Sequence, residues 1–270
     1  MLHLIVPAAL LLAVPLAQAE QTVRLASDAW CPFVCASGEH LAGGYLVDAA
    51  AAALASQGLQ ATPVLMPLNR AMRETVVGRI DGVYAPAIDA RLRLSTPLAY
   101  SRACFYTLSD SKWRYRGMAS LAGQQVAIID DYGYDGGPMD EYISKYRKQP
   151  ARLKLAFGQT AGTSNLRMLL YGRVPVVLEH EAVMAQLAES ERVPQQLRKA
   201  GCLEGRLPLT VGFAADNPRA LPWLVALEAG LRQLEASGEL QALRKRYHVP
   251  DAMGPGEGAT GQAGNAKPVR

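Results

Sequence analysis

The stretch SDAWCPFVC, Ser27 to Cys35, brings an aspartate, a tryptophan and two cysteines together around one proline. Cys31 and Cys35 form a C-x3-C pair, and Cys104 and Cys202 lie far along the chain. Thiols in this pattern can serve redox chemistry, metal ligation or a structural disulfide. The three-residue gap departs from the two-residue gap of thioredoxin-type motifs and zinc knuckles. No second close pair and no histidine cluster completes a tetrahedral site, so no metal is expected. The choice between redox chemistry and a disulfide bracing a binding cleft then turns on compartment.

The N-terminus speaks to compartment. Leu4 to Leu16 is an apolar run of secretory-signal length, too short to span a bilayer comfortably. Ala17-Gln18-Ala19 puts small residues where a signal peptidase reads, so a signal peptide over 1–19 is expected, with cleavage after Ala19. The n-region carries no Lys or Arg, only the α-amine and His3. A buried helix of the mature fold is the competing reading. No cysteine follows the run directly, which speaks against a lipid anchor, and no later stretch is long and apolar enough for stable membrane insertion. Export to a bacterial periplasm is the expected setting. There an even cysteine count favours disulfides, and four cysteines allow three pairings.

Half of the 270 residues are hydrophobic and 19% are charged, enough for one large core or two small ones. The net charge of +4 is spread along the chain without a basic cluster interleaved with aromatics, which excludes nucleic acid as the expected partner. Residues 251–270, rich in Gly and Ala and poor in large apolar side chains, are expected to form a disordered tail.

The elements that must position the chemistry alternate. TVRLAS reads as a strand running into the opening motif, YLVDAAAAALASQG as a helix closed by Gly58, and ATPVLMP as a second strand. NRAMRETVVG follows as a helix with Asn69 as its N-cap and Gly78 as its stop, then RIDGVYAP as a third strand. A similar unit comes later: strand VAIID, a Gly-rich turn, a helix around MDEYISKYR, strand LKLAF, helix SNLRMLLYG and strand RVPVVLE. Leu224, Leu227, Leu231 and Leu234 recur at helical spacing near the end, before a break at Ser237-Gly238. The pattern predicts two similar α/β lobes with largely parallel sheets.

Four stretches in this order, LASDAWCPF, GGYLVDAAAAAL, GRIDGVYA followed by STPLAYS, and SGELQALRKRY, carry a resemblance to a known family. From about Gln21 to Val249 the chain resembles the bacterial extracellular solute-binding proteins of family 3, which serve polar amino-acid ABC transporters. The resemblance implies the type II periplasmic binding fold: two α/β lobes with mixed, mostly parallel sheets, joined by two hinge strands over a ligand cleft. Residues 20–104 plus 209–250 would form lobe 1 and residues 105–208 lobe 2, with crossings near CFYTL and PLTVGF. On that layout Cys31–Cys35 is expected to fix Trp30 in a small loop, and Cys104–Cys202 to tie the two crossings.

The resemblance also implies a ligand site. Trp30 stands where an aromatic stacks on the ligand, a ring that can also hold a cation. Phe33 is expected to pack at the rim, and Asp28 either contacts a ligand amine or caps a turn. Leu68, Asn69 and Arg70 lie at the next strand-to-helix junction, where relatives often carry an aromatic at the Leu68 position. Amino-acid binders of the family place hydroxyl residues after the third strand and then an arginine that grips the α-carboxylate. Here the strand ends Ala85-Pro86-Ala87-Ile88 without hydroxyls, and Arg91, or failing it Arg93, takes the arginine's part. Tyr132, Gly133 and Tyr134 occupy the turn that offers hydroxyl and backbone donors. His180, flanked by Glu179 and Glu181, aligns where relatives hold the α-amino group, and a cleft histidine there would make binding pH-sensitive. The bland alternative for these three is a solvated opening of a helix.

The function implied is capture of a small polar solute, an amino acid or derivative, for an inner-membrane ABC permease, by a monomer without cofactor or catalytic residues. A dehydratase of prephenate-like acids on the same scaffold is the enzymatic alternative, with Glu179, His180 or Glu181 as general acid. The third reading is a ligand-sensing partner of a signalling receptor.

Overall fold

The computed structural model describes residues 21–249 apart from Asp131. The expected signal peptide (1–19) and tail (251–270) lie outside the described residues. In chain order the first half holds β1 (Gln21–Ser27), β2 (Cys35–Ser37), β3 (His40–Gly43), α1 (Tyr45–Ala55), β4 (Leu59–Leu65), α2 (Leu68–Val76), β5 (Gly82–Tyr84), β6 (Leu92–Leu94), β7 (Ala99–Ser101) and β8 (Ala103–Leu108). There follow β9 (Val126–Ile129), α3 (Pro138–Tyr146), β10 (Leu153–Ala156), α4 (Ala161–Leu170), β11 (Val176–His180), α5 (Glu181–Ser190) and β12 (Leu197–Cys202). The chain ends in β13 (Leu207–Leu209), β14 (Val211–Ala214), α6 (Ala220–Ser237) and α7 (Glu239–Arg246).

Two five-stranded sheets result, ordered β4-β1-β5-β14-β6 and β10-β9-β11-β8-β12. In the first, β1 runs parallel to β4 and β5, while β14 is antiparallel to β5 and β6. In the second, β9 runs parallel to β10 and β11, while β8 is antiparallel to β11 and β12. Each sheet is thus a parallel trio extended by antiparallel strands, the two-lobed α/β class the alternation predicts. The chain leaves the first sheet through β7 and returns through β13, and these two pair antiparallel. CFYTL itself makes up most of β8, in the second sheet, and the chain passes between the sheets just before it, at Arg102.

The strands are covered by helices whose apolar faces match the sequence pattern. In α1 nearly every residue is small or apolar, and Leu46, Ala49, Ala50, Ala53 and Leu54 are fully buried. Its companion α6 contributes Leu227, Leu231 and Leu234 to the same core, with Leu224 half-buried beside them. The helices cross at Gly230, where a Cβ would stand 2.0 Å from the Ala53 carbonyl oxygen, so only glycine permits the approach. Asn69 does not cap α2. The helix starts one residue earlier, at Leu68, and Pro67 stands at the cap position, its carbonyl accepting from the Arg70 and Ala71 amides. Among the described residues no helix is long and apolar enough to cross a membrane.

Both disulfides form as expected, Cys31 to Cys35 and Cys104 to Cys202. The second joins directly paired residues of β8 and β12, inside the second sheet rather than between the connections.

Candidate functional site

Ligands of open α/β sheets sit beyond the carboxyl ends of the parallel strands. Here those ends from both sheets converge. Asp28 and Trp30 follow β1, Leu68 follows β4 and Ala85 follows β5; Tyr132 and Gly133 follow β9, Gly158 and Gln159 follow β10, and Glu179 and His180 end β11. Ser27, Asp28, Trp30, Leu68, Ala85, Pro86, Ala87, Tyr132, Gly133 and Leu207 wall a narrow cavity of about 30 Å³. A second cavity, about 260 Å³, lies between the opening motif and the second sheet, lined by Trp30, Cys31, Tyr132, Gln159, Thr163, Glu179 and Gln186 among others. A third, about 190 Å³, is lined by Asp28, Leu68, Asn69, Tyr132, Phe157 and Gln159 among others.

Tyr132 lines all three, and its hydroxyl donates to Asp28 Oδ2 at 2.8 Å. The opening motif is held by its own ladder: Trp30 N–H donates to the Val34 carbonyl and Val34 N–H back to that of Trp30, inside the Cys31–Cys35 loop. The indole is 7% exposed, with Phe33 tilted against it at 4.8 Å and the His180 ring edge-on at 4.9 Å. Phe33 itself is fully buried, not at the rim. Ala85 adopts a positive φ of 46°, an uncommon conformation for a residue with a Cβ, and this turn aims Pro86 and Ala87 into the cavity wall.

Glu179 and His180 are 1% and 0% exposed, so they are not a solvated helix opening. His180 Nε2 lies 3.3 Å from the Gly133 carbonyl oxygen and Nδ1 2.8 Å from Ser101 Oγ. A carbonyl only accepts, so Nε2 carries the proton and Nδ1 accepts from the serine hydroxyl. Burial lowers the imidazole to a pKa of about 4, which keeps it neutral. Burial likewise raises Glu179 to about 7, opposed by the His180 amide bonding its Oε1 and by the Trp30 indole facing it. Oε2 of Glu179 and Nε1 of Trp30 are nonetheless buried without a hydrogen bond of full geometry. Asp28 is raised to about 6, again by burial, with the Tyr132 hydroxyl and backbone amides acting against the rise.

The remaining residues expected at the site fall elsewhere. Tyr134 is buried in the second sheet's core, its hydroxyl accepting from the Ile129 amide, and offers nothing to the cleft. Arg91 is held by Asp89 at 2.5 Å with its side chain 67% exposed, and Arg93 bonds the Ala215 carbonyl; neither lines the three cavities. Arg70 is exposed on α2 and lines none of them either. Residues not singled out from sequence are Gln159, Thr163 and Gln186. The LKLAF strand, followed by Gly158 and a helix, was the available signal, because β10 ends at the cleft as its neighbours do.

No protein-family model matches the chain, and no curated protein matches it. Solved structures do. A histidine kinase sensor domain similar to periplasmic binding proteins superposes with a TM-score of 0.71 at 18% identity, covering 84% of this chain and 96% of its own. A structure from work on glutathione import through GshT and the cystine ABC importer TcyBC of Streptococcus mutans gives 0.69 at 16% identity, covering 86% and 98%. The amino-acid ABC transporter substrate-binding protein AbpA of Streptococcus pneumoniae, bound to L-arginine, gives 0.65 at 18% identity, covering 84% and 94%. The chain has the periplasmic binding protein-like fold.

Proposed function

We propose that the protein is a periplasmic solute-binding protein. Its two lobes, residues 20–104 with 209–250 and residues 105–208, close over a small polar solute and present it to an inner-membrane ABC permease. The convergence of strand ends from both sheets on one set of cavities, bridged by Tyr132 and Asp28, carries this reading. Asp28, Trp30, Leu68, Asn69, Ala85, Tyr132, Gly133 and Glu179 form the proposed contact surface; His180 supports it from behind. Both ring nitrogens of His180 are engaged, which argues against its use as a general acid in a dehydratase.

A sensing role has its own support in the likeness to a kinase sensor domain. The same capture step would then feed a receptor in place of a permease. A thermal-shift screen of amino acids, amines and small organic acids tests the shared premise, because a ligand bound by the native state alone must raise Tm. Retention of an unchanged ligand supports binding; its turnover would establish the enzyme instead. Pull-down against permease and receptor fragments separates the two destinations.

A further inference from the structure

Among the described residues, the charged side chains lining the three cavities are all acidic: Asp28, Asp130 and Glu179. Asp130 is already paired with Arg147 at 2.6 Å, whereas among the described residues no arginine, lysine or protonated histidine acts on Asp28 or Glu179. Resting on the solute-binding reading, we infer that the solute is a small organic amine without an α-carboxylate, its cationic nitrogen seated on Glu179 beside Trp30.

Glu179 has the geometry of an unfinished ion pair. It ends β11 at 1% exposure, lines the cavity of about 260 Å³, and its Oε2 is without a partner. A full indole bond from Trp30 would still leave most of the carboxylate's acceptor capacity unused and its charge uncompensated. The carboxylate abuts the first turn of α4, where a Cβ on Gly162 would lie 3.7 Å from Oε2, and the positive end of that helix favours the ionised form. A bound ammonium or guanidinium completes the pair.

An α-carboxylate has no such counterpart. The family's arginine grip is missing from the cavity walls, since Arg91 is spent on Asp89 and Arg70 and Arg93 are turned outward. A ligand carboxylate would instead meet Asp28 and Glu179 in a poorly solvated space, where like charges repel strongly. The rest of the larger cavity offers Gln159, Thr163 and Gln186, neutral groups suited to a hydroxyl or amide on the ligand's far end.

Pairs of compounds that differ by one carboxylate test this: putrescine and ornithine, agmatine and arginine, ethanolamine and serine, each measured by calorimetry on the protein freed of carried ligand. At least one amine should bind and its amino-acid counterpart bind roughly 100-fold more weakly or not at all. Glu179→Gln should weaken the bound amine roughly 10- to 100-fold, with Glu141→Gln, an exposed carboxylate on α3, as the unaffected control. If the amino acids bind as well as the amines, the inference falls while the solute-binding reading stands. An amine whose affinity is untouched by Glu179→Gln, with Tm retained, removes Glu179 as its seat. If neither series binds, the amine inference falls, and the solute-binding reading is decided by the wider thermal-shift screen.

Discussion

The Tyr132 hydroxyl donates to Asp28 at 2.8 Å and so joins the carboxyl end of β9, in one sheet, to that of β1, in the other. It is a direct side-chain bridge between the two parallel trios at the centre of the proposed cleft. A hinged two-lobe protein needs contacts of this kind to bias the closed arrangement, and each is worth only as much as its difference between open and closed states.

Tyr132→Phe removes the donor and leaves Asp28 buried without it. A hydrogen bond to a charged group contributes about 1.5–3 kcal/mol, enough to move a closed population toward an open one. The expected outcome is a larger radius of gyration for the ligand-free variant by small-angle scattering, recovered when ligand is added. An unchanged radius, with the fold intact, would remove the bridge as a closing contact.

Glu179 predicts a pH-dependent stability. Burial holds its folded pKa at about 7 against an ordinary value of 4.5, so the folded state binds the extra proton between those limits. Stability from this group is therefore fully present below about pH 4.5 and is lost as pH rises through 7. The groups that sense its charge are Tyr132 and Tyr134 after β9 and Tyr106 on β8, with His180 beside it; all are neutral at pH 7. Glu179→Gln should thus be more stable than the natural protein at pH 8, by about 1–3 kcal/mol, and equal to it near pH 4. Thermal melts of both proteins across that range check the sign, and a variant less stable at pH 8 contradicts it.

The disulfides divide stability from binding. Cys104–Cys202 closes a separation of 98 residues and Cys31–Cys35 one of 4, so the chain-entropy account gives the first the larger share. Replacing Cys104 and Cys202 by serine should cost about 2–5 kcal/mol. Replacing Cys31 and Cys35 should cost about 2 kcal/mol or less, yet weaken ligand binding more, because that loop fixes the Trp30–Val34 ladder. Denaturant melts and calorimetry on the two double variants decide whether the effects separate in this way.

The fold was legible because hydrophobic periodicity and terminal glycines are local signals. The leucines of α6 repeat at helical spacing and face the core, and Gly238 takes the left-handed conformation that ends the helix. At the site, residues attached to strand ends were legible for the same reason: Asp28, Trp30 and Tyr132 follow strands whose pattern is plain. Arg91 and Tyr134 were not, because a side chain's partner is a long-range fact. Nothing in the sequence says that Asp89 captures Arg91, or that the Ile129 amide draws the Tyr134 hydroxyl inward. Gly230 shows the reverse case, a helix interior where propensity disfavours glycine and only the crossing with Ala53 explains it.

A histidine at position 180 would make binding pH-sensitive if it lay in the cleft, and its surroundings argue for the opposite. Ser101 on β7, Gly133 after β9 and the rings of Trp30 and Tyr134 enclose it, and burial holds its folded pKa at about 4 against an ordinary value of 6.5. Its contribution to stability is present above pH 6.5 and lost as pH falls toward 4, the reverse of the trend from Asp28 and Glu179 over much of the same window. A melting curve alone would blend the three. Nitrogen chemical shifts of the imidazole separate them: at pH 5.5 the folded protein should show a neutral ring protonated at Nε2, with Nδ1 as acceptor. A titration of that ring centred near pH 6.5 would mean that His180 meets solvent, and the barrier between it and the cleft would have to be redrawn.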